Sequence, residues 1–437
     1  MKKIFCLLLI LVSAIYTQEF KPEVKVGATI FTGWEFNLDN AEFISKLDSN
    51  SPNSNIPFGY QPIKNQFETS KNSFFLERAY INVIASLTPD LKARVTPDVF
   101  SFTDGNGKTQ YNMGIKFAYI DYIPFKSDNG LSVGFRLGVV PNNWTGTNDN
   151  YWGYRGFQKT FTDFTWTTSA VKSGNSVIRT QSSFFSTADL GFQINFNAPN
   201  GIAELQAAVV NGNGYRNLSF DNRFKDLFFT AFVHPLQPSI NKKLEELKKA
   251  KKERLNGLAD LTFGGFVYMG KLDKGENHAL NGVQYERNRF GGMAHLRYNF
   301  KKAGFIKIGG EYSVQKNVDP VSPSTEKAET NSGGFSTYLE FNPPVQSIND
   351  KLMLIFRYDS FDPDVYTSPT GTTTIVFNNS NDKQSLLIGG FVFKPNKLLQ
   401  IGLTYQSLTF EDNFVVKYDG TTSKTDGKLF VHGVLNF

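Results

Sequence analysis

The sequence predicts an all-β fold: a transmembrane antiparallel β-barrel of about 16 strands, with a short periplasmic amphipathic helix. Three observations predict it. Runs of strand length alternate apolar and polar residues along most of the chain, as a wall between lipid and water requires. The connections between these runs alternate long and short. After the first residues no stretch approaches the roughly 18 apolar residues of a transmembrane helix. Composition fits the same picture, with 42 Phe, 18 Tyr and 37 Gly in 437 residues.

Taken in order, Met1-Lys2-Lys3 is basic, Ile4 to Val12 is apolar, and Ser13, Ala14, Thr17 and Gln18 are small or polar. This is the pattern of a signal peptide over 1–17, too short in its apolar part to span a bilayer. Residues 18–437 then form one barrel. The single cysteine, Cys6, falls in the leader, so the mature chain is expected to hold no thiol and no disulfide.

The first run sets Val24, Val26, Ala28 and Ile30 against Lys25, Gly27 and Thr29. The second sets Ala79, Ile81, Val83 and Ala85 against Arg78, Tyr80, Asn82 and Ser86. The third opposes Leu91, Ala93 and Val95 to Lys92, Arg94 and Thr96. The fourth, over 111–124, is apolar on both sides and its facing stays open. Clean alternation returns at Leu131–Val139, Ala188–Phe196, Phe290–Phe300, Ile306–Tyr312 and Leu399–Tyr405. Short turns such as Thr88-Pro89-Asp90 and Ala198-Pro199-Asn200-Gly201 separate longer connections such as 37–72, 142–183 and 361–382, as periplasmic turns alternate with extracellular loops. An even strand number puts both termini on the periplasmic side.

Segment 236–257 breaks the pattern. Ile240, Leu244 and Leu247 recur at helical spacing among Lys and Glu, and Ser239 is placed as N-cap of a helical insert over 238–257. Seven Lys or Arg stand against three Glu in 239–257, and this accounts for most of the net +6 of the whole chain. The alkaline balance therefore says little about the pore. A solvated linker helix is the plainer reading of this segment. The last run, Leu429, Val431, Gly433 and Leu435, ends on Phe437, a terminal strand of the type presented to the barrel assembly machinery.

No catalytic constellation emerges. Asp104-Gly105-Asn106-Gly107-Lys108-Thr109 mimics the tail of a phosphate-binding loop, but Phe102 stands where its first glycine belongs, so a hairpin tip is the better reading. The histidines His234, His278, His295 and His432 have no metal-ligand spacing. No enzyme, cofactor, metal or nucleic-acid partner is expected.

Charge placement carries the functional expectation. With apolar faces toward lipid, Lys25, Arg78, Lys92, Arg94, Arg136, Arg289, Arg297, Lys307 and Arg357 project into the lumen, joined by Asp98, Asp189, Glu311, Glu340 and Asp359. Arginine on the lipid face costs roughly 2–4 kcal/mol at the midplane, which favours this placement. An excess of guanidinium in a narrow pore attracts anions, whereas full pairing with the acids would only solvate the interior. Connection 142–183 is the candidate constriction, because such long loops are usually functional. It carries Trp144, Trp152, Tyr154, Arg155, Lys159 and Arg179, and either inward or outward folding suits its composition.

The run Lys116-Phe117-Ala118-Tyr119-Ile120-Asp121-Tyr122-Ile123-Pro124, followed by Val133-Gly134-Phe135-Arg136-Leu137-Gly138 and Pro141, resembles the phosphate-selective porin O and P family. So does Ala207-Ala208-Val209-Val210-Asn211-Gly212-Asn213-Gly214-Tyr215-Arg216-Asn217. The resemblance implies a trimeric 16-stranded porin with an inward third loop. The expectation is an outer-membrane porin of a Gram-negative-type bacterium that passes small polar solutes and prefers anions such as phosphate, embedded in outer-membrane lipid as a homotrimer. The alternative is a non-transporting outer-membrane surface or adhesion protein whose barrel displays its loops.

Overall fold

A computed structural model describes residues 20–38, 41–43, 46–48, 72–103, 109–173, 176–216, 224–250, 254–273, 284–320, 327–370, 383–411, 415–417 and 422–437. The leader expected over 1–17, with Cys6, lies outside the described residues.

Sixteen strands close into one barrel: β1 Glu23–Asn37, β2 Asn72–Ser86, β3 Leu91–Thr103, β4 Thr109–Lys126, β5 Ser132–Pro141, β6 Ala188–Asn197, β7 Ala203–Val210 and β8 Asp226–Val233, then β9 Gly257–Asp273, β10 Gln284–Asn299, β11 Phe305–Pro320, β12 Lys327–Asn342, β13 Leu352–Thr370, β14 Gln384–Phe393, β15 Leu399–Phe410 and β16 Thr425–Asn436. Each pairs antiparallel with its sequence neighbours. The ring closes where β16 pairs with β1, from Thr29 opposite Asn436 to Asn37 opposite Lys428. Phe437 completes the seam: its N–H donates to the Ala28 carbonyl at 3.0 Å, and its carbonyl accepts from the Ala28 N–H at 2.7 Å. Closure is what lipid demands, since an open edge would leave backbone groups without partners.

The outer face is apolar and exposed. Val26, Leu137, Phe192, Phe263, Phe290, Ile308, Tyr312 and Leu403 all point outward. The inner face gathers Thr96, Asp98, Gln193, Gln206, Thr230, Thr262, His295, Glu311, Glu340, Arg357, Asp359, Thr404 and Gln406, all buried. The facing that periodicity left open in β4 is settled by a bulge. Thr96 of β3 lies opposite Phe117 and Pro97 opposite Ile115, so Lys116 is the extra residue on β4. Met113 and Ile115 face out before the bulge and Ile120 and Tyr122 after it. The phase shift places Lys116 and Phe117 both inside. A second register shift, with Phe31 opposite Arg78 and Thr32 opposite Leu76, makes Glu77 the extra residue of β2.

Two helices depart from the barrel wall. Helix α1, Asn143–Trp152, lies in the long connection after β5; the Asn142 side chain caps it, accepting from the Thr145 N–H at 3.2 Å. Gly153 ends it in the left-handed region at φ 77°, a conformation that favours glycine. Helix α2, Gln237–Lys249, joins β8 to β9 at the end of the barrel that holds both termini. Its bounds correct the expected 238–257 and the expected Ser239 cap: the helix begins at Gln237 with Pro238 in the first turn, and no side chain caps it. Ile240 is its buried residue, and the Asn241 amide donates to the Asn200 carbonyl at 3.0 Å.

At the opposite end, connections pair with one another. Lys46–Asp48 pairs with Ser176–Ser182, which pairs in turn with Trp166–Ser173. Ala41–Phe43 pairs with Val415–Lys417. The hydrophobic core of the molecule sits inside the barrel, built from connection 142–183 and the walls it touches.

Candidate functional site

Residues 142–166 of connection 142–183 enter the lumen, and their buried aromatic rings explain why. Trp144, Trp152, Tyr154, Phe157, Phe161 and Trp166 are each 3% exposed or less. Rings of that size have little to gain from water and much from a wall of other rings. Trp144 packs on Phe266 and Phe232 at centroid distances of 4.5 and 5.8 Å, Trp152 on Tyr338 at 5.5 Å, and Phe157 on His432 at 4.7 Å. Gly156 permits the approach to β1 and β16, because a Cβ there would overlap Phe31 and Val434.

Polar anchors fix the register of this insertion. The Trp144 indole N–H donates to Glu311 Oε2 at 3.1 Å, and the Thr162 hydroxyl donates to the same oxygen at 3.3 Å. Tyr154 donates to Glu340, which also pairs with Lys307. Arg357 donates to Asp359 through two nitrogens at 2.9 and 2.5 Å, and through Nη1 to the Lys159 carbonyl at 2.6 Å. Gln406 donates to the Phe157 carbonyl at 3.0 Å. Tyr151 and Thr262 share a hydroxyl bond of 2.6 Å. Within the connection, Arg155 pairs with Asp149 and, at 2.5 Å, with Asp163. Burial pushes the Asp163 carboxyl up, but the adjacent Arg155 guanidinium outweighs it and holds the group below the usual carboxylate range. These bonds run to β9, β11, β12, β13 and β15.

The arc β2–β5 presents a different surface, a stripe in which cations lie over aromatic rings. Arg136 sits 5.3 Å from the Tyr119 ring centre, Arg94 4.5 Å from Phe117, Lys116 4.2 Å from Tyr80, and Arg216, just beyond β7, 4.0 Å from Phe100. Asn82, Arg94, Tyr119 and Arg136 on this arc are partly exposed, so they are open to water.

The nine expected lumen cations divide into two sets. Lys25 is exposed and pairs with Glu23 at 3.3 Å. Arg78 is buried against Asp98 at 3.4 Å and Tyr215 at 3.3 Å. Arg136 pairs with Asp121 at 3.2 Å, Lys307 with Glu340 and Arg357 with Asp359. Among the described residues Lys92, Arg94, Arg289 and Arg297 have no carboxylate within ion-pair distance. Lys92 is exposed beside the Thr88–Asp90 turn, Arg94 donates to Asn82 at 2.8 Å, and Arg297 donates to Asn299 at 3.0 Å. Arg289 lies against the rings of Tyr268 and Phe185, 5.1 and 5.4 Å away. Of the loop residues, Trp144, Trp152, Tyr154, Arg155 and Lys159 are inside as described, while the Arg179 side chain lies outside the described residues.

Alternation alone does not find Lys116. It is 5% exposed, its Nζ donates to the Tyr80 hydroxyl at 3.0 Å, and no carboxylate lies within ion-pair distance among the described residues. The readable signal was the slip between outward Ile115 and outward Ile120, which requires a bulge between them. Arg216 lies in the connection after β7, where alternation gives no facing, and Arg287 is in phase with Arg289 near the start of β10.

Against solved structures, the chain is similar to OprB of Pseudomonas putida, with 11% identity over 95% of this chain and 94% of that one and a TM-score of 0.50. It has the fold of a porin-like outer-membrane barrel. This porin-like barrel also resembles an anion-selective porin from Comamonas acidovorans, with 12% identity, 95% and 100% coverage and a TM-score of 0.49. A third likeness is to OmpT of Vibrio cholerae, with 11% identity, 96% and 99% coverage and a TM-score of 0.46. No family model and no curated relative matches the sequence.

Proposed function

We propose that this chain is an outer-membrane porin through which small polar solutes diffuse passively between the inserted connection 142–183 and the β2–β5 wall. The observation that carries this reading is the asymmetry of the lumen. The inserted connection is bonded to β9, β11–β13 and β15 and reaches β2 only where Arg155 meets Tyr80, while β3–β5 carry the partly exposed Arg94 and Arg136 over aromatic rings. Lys92 and Arg94 have no carboxylate within ion-pair distance among the described residues, and unpaired cations in a confined passage raise the local concentration of anions. Phosphate fits that chemistry, as do other small anions. Passive diffusion requires no reaction and no cofactor. Location in the outer membrane, with α2 on the periplasmic side, and assembly as a homotrimer complete the reading.

A second reading has its own support. The depth of aromatic packing inside the barrel suits an occluded barrel that displays its loops. Swelling of proteoliposomes separates the two. The porin reading expects swelling rates above those of empty vesicles that fall as solute size rises from a pentose to a disaccharide. Rates equal to empty vesicles for every solute would leave the displayed-loop reading.

A further inference from the structure

A cavity of about 450 Å³ opens at the loop end of the barrel, between the Ser183–Ser186 segment and the walls of β5–β10. Its lining combines opposite charges with unused hydrogen-bonding capacity. Arg289 contributes a guanidinium whose Nε is buried without a hydrogen-bond partner, and no carboxylate pairs with it among the described residues. Arg287 lines the same cavity but pairs with Asp226 at 3.2 Å. Asp189 also lines it, with a carboxylate that accepts only backbone bonds, from Leu190 at 2.7 Å, from Gly214 at 3.1 Å and from Gly212. Gln193 offers a buried carbonyl oxygen that has no partner, since its amide is spent on the Pro141 carbonyl.

We infer that this cavity is a solute-binding subsite for small zwitterions, free amino acids above all, which dwell there on their way through the pore. This deepens the porin reading and rests on it. The Arg289 guanidinium is partly exposed but its buried Nε lacks a partner, and a solute carboxylate would complete it. Asp189 and the Gln193 oxygen are acceptors without a matching cation, which suits an ammonium. With Arg287 offset by Asp226, the lining carries one available charge of each sign, so a molecule bearing both is matched better than a simple anion. The volume lies within the usual range of small-molecule sites, about 300–1,000 Å³. It also gives an amino acid room to turn.

L-Glutamine, acetate and glucose serve as probes of the full-length protein, by titration calorimetry in detergent and by current block in planar bilayers. The inference expects saturable glutamine binding, with acetate and glucose at least about tenfold weaker, since each supplies one matched contact or none. Arg289→Gln should weaken glutamine and acetate alike, and Asp189→Asn should weaken glutamine while sparing acetate. Equal binding of glutamine and acetate, or glutamine binding unchanged in both variants, would overturn it. Glutamine binding by a protein that passes no current would overturn the porin reading and uphold the site; current without glutamine binding would do the reverse.

Discussion

Arg357 is one of the wall side chains that anchor the inserted connection. It is 1% exposed, bonded twice to Asp359 and once to the Lys159 carbonyl, and its guanidinium lies 5.2 Å from the Trp152 ring. Replacing one partner of a buried pair leaves the other charge unmatched, at a cost of about 3–5 kcal/mol. Arg357→Met should therefore lower the denaturant midpoint in detergent sharply, and Arg357→Met with Asp359→Leu should recover most of the loss. Equal losses in the single and double variants would contradict this account of the pair. Lys116 has the opposite character, a buried cation with one hydroxyl partner. Lys116→Gln should shift the salt-gradient reversal potential toward cations with little change in fold. Sequence alternation placed Arg94 and Arg357 on the inner face because their strands are regular where they stand. It could not place Lys116, because one extra residue in β4 moves every later side chain to the other face.

On the proposed reading, connection 142–183 is the element that narrows the barrel. Trp144→Ala would remove a fully buried indole and leave Glu311 with one fewer donor, weakening the seat of the connection by about 3–5 kcal/mol. Single-channel conductance should rise as the connection loosens, and unchanged conductance would mean that Trp144 does not narrow the path. The Arg155–Asp163 pair adds a pH dependence. A carboxyl held below its unfolded value contributes stability that is present above that value, about 3.9, and fades as pH falls through the folded one. An acid-side change in conductance below about pH 4 should follow, and Asp163→Asn should abolish that part of the pH profile. The length and tryptophan content of this connection were visible in the sequence, but its direction was not. The rings that receive it, Phe232, Phe266 and Tyr338, belong to strands far along the chain, and only barrel closure brings them together. For α2, periodicity gave the existence of the helix; its start came from Pro238, which fits the first turn of a helix better than the position before a cap.

The whole molecule depends on the β1–β16 seam. Strand number, antiparallel order and the alternation of lipid and lumen faces were legible because bilayer thickness and backbone satisfaction leave few other solutions. Removing Leu435–Phe437 would delete the reciprocal Ala28–Phe437 bonds and the adjoining pairing, and should abolish the heat-modifiable folded band on gels; a normal band would show that the seam closes without them. Solute preference was less legible, since it depends on which cations escape pairing, and pairs such as Arg78–Asp98 and Lys307–Glu340 form across neighbouring strands. The central claim, a water-filled path along a wall of unpaired cations, is tested most directly by the reversal potential of the reconstituted full-length protein under a tenfold KCl gradient. Discrete conductance steps with a potential on the chloride side are expected. An absence of steps, or a potential on the potassium side, would contradict the claim.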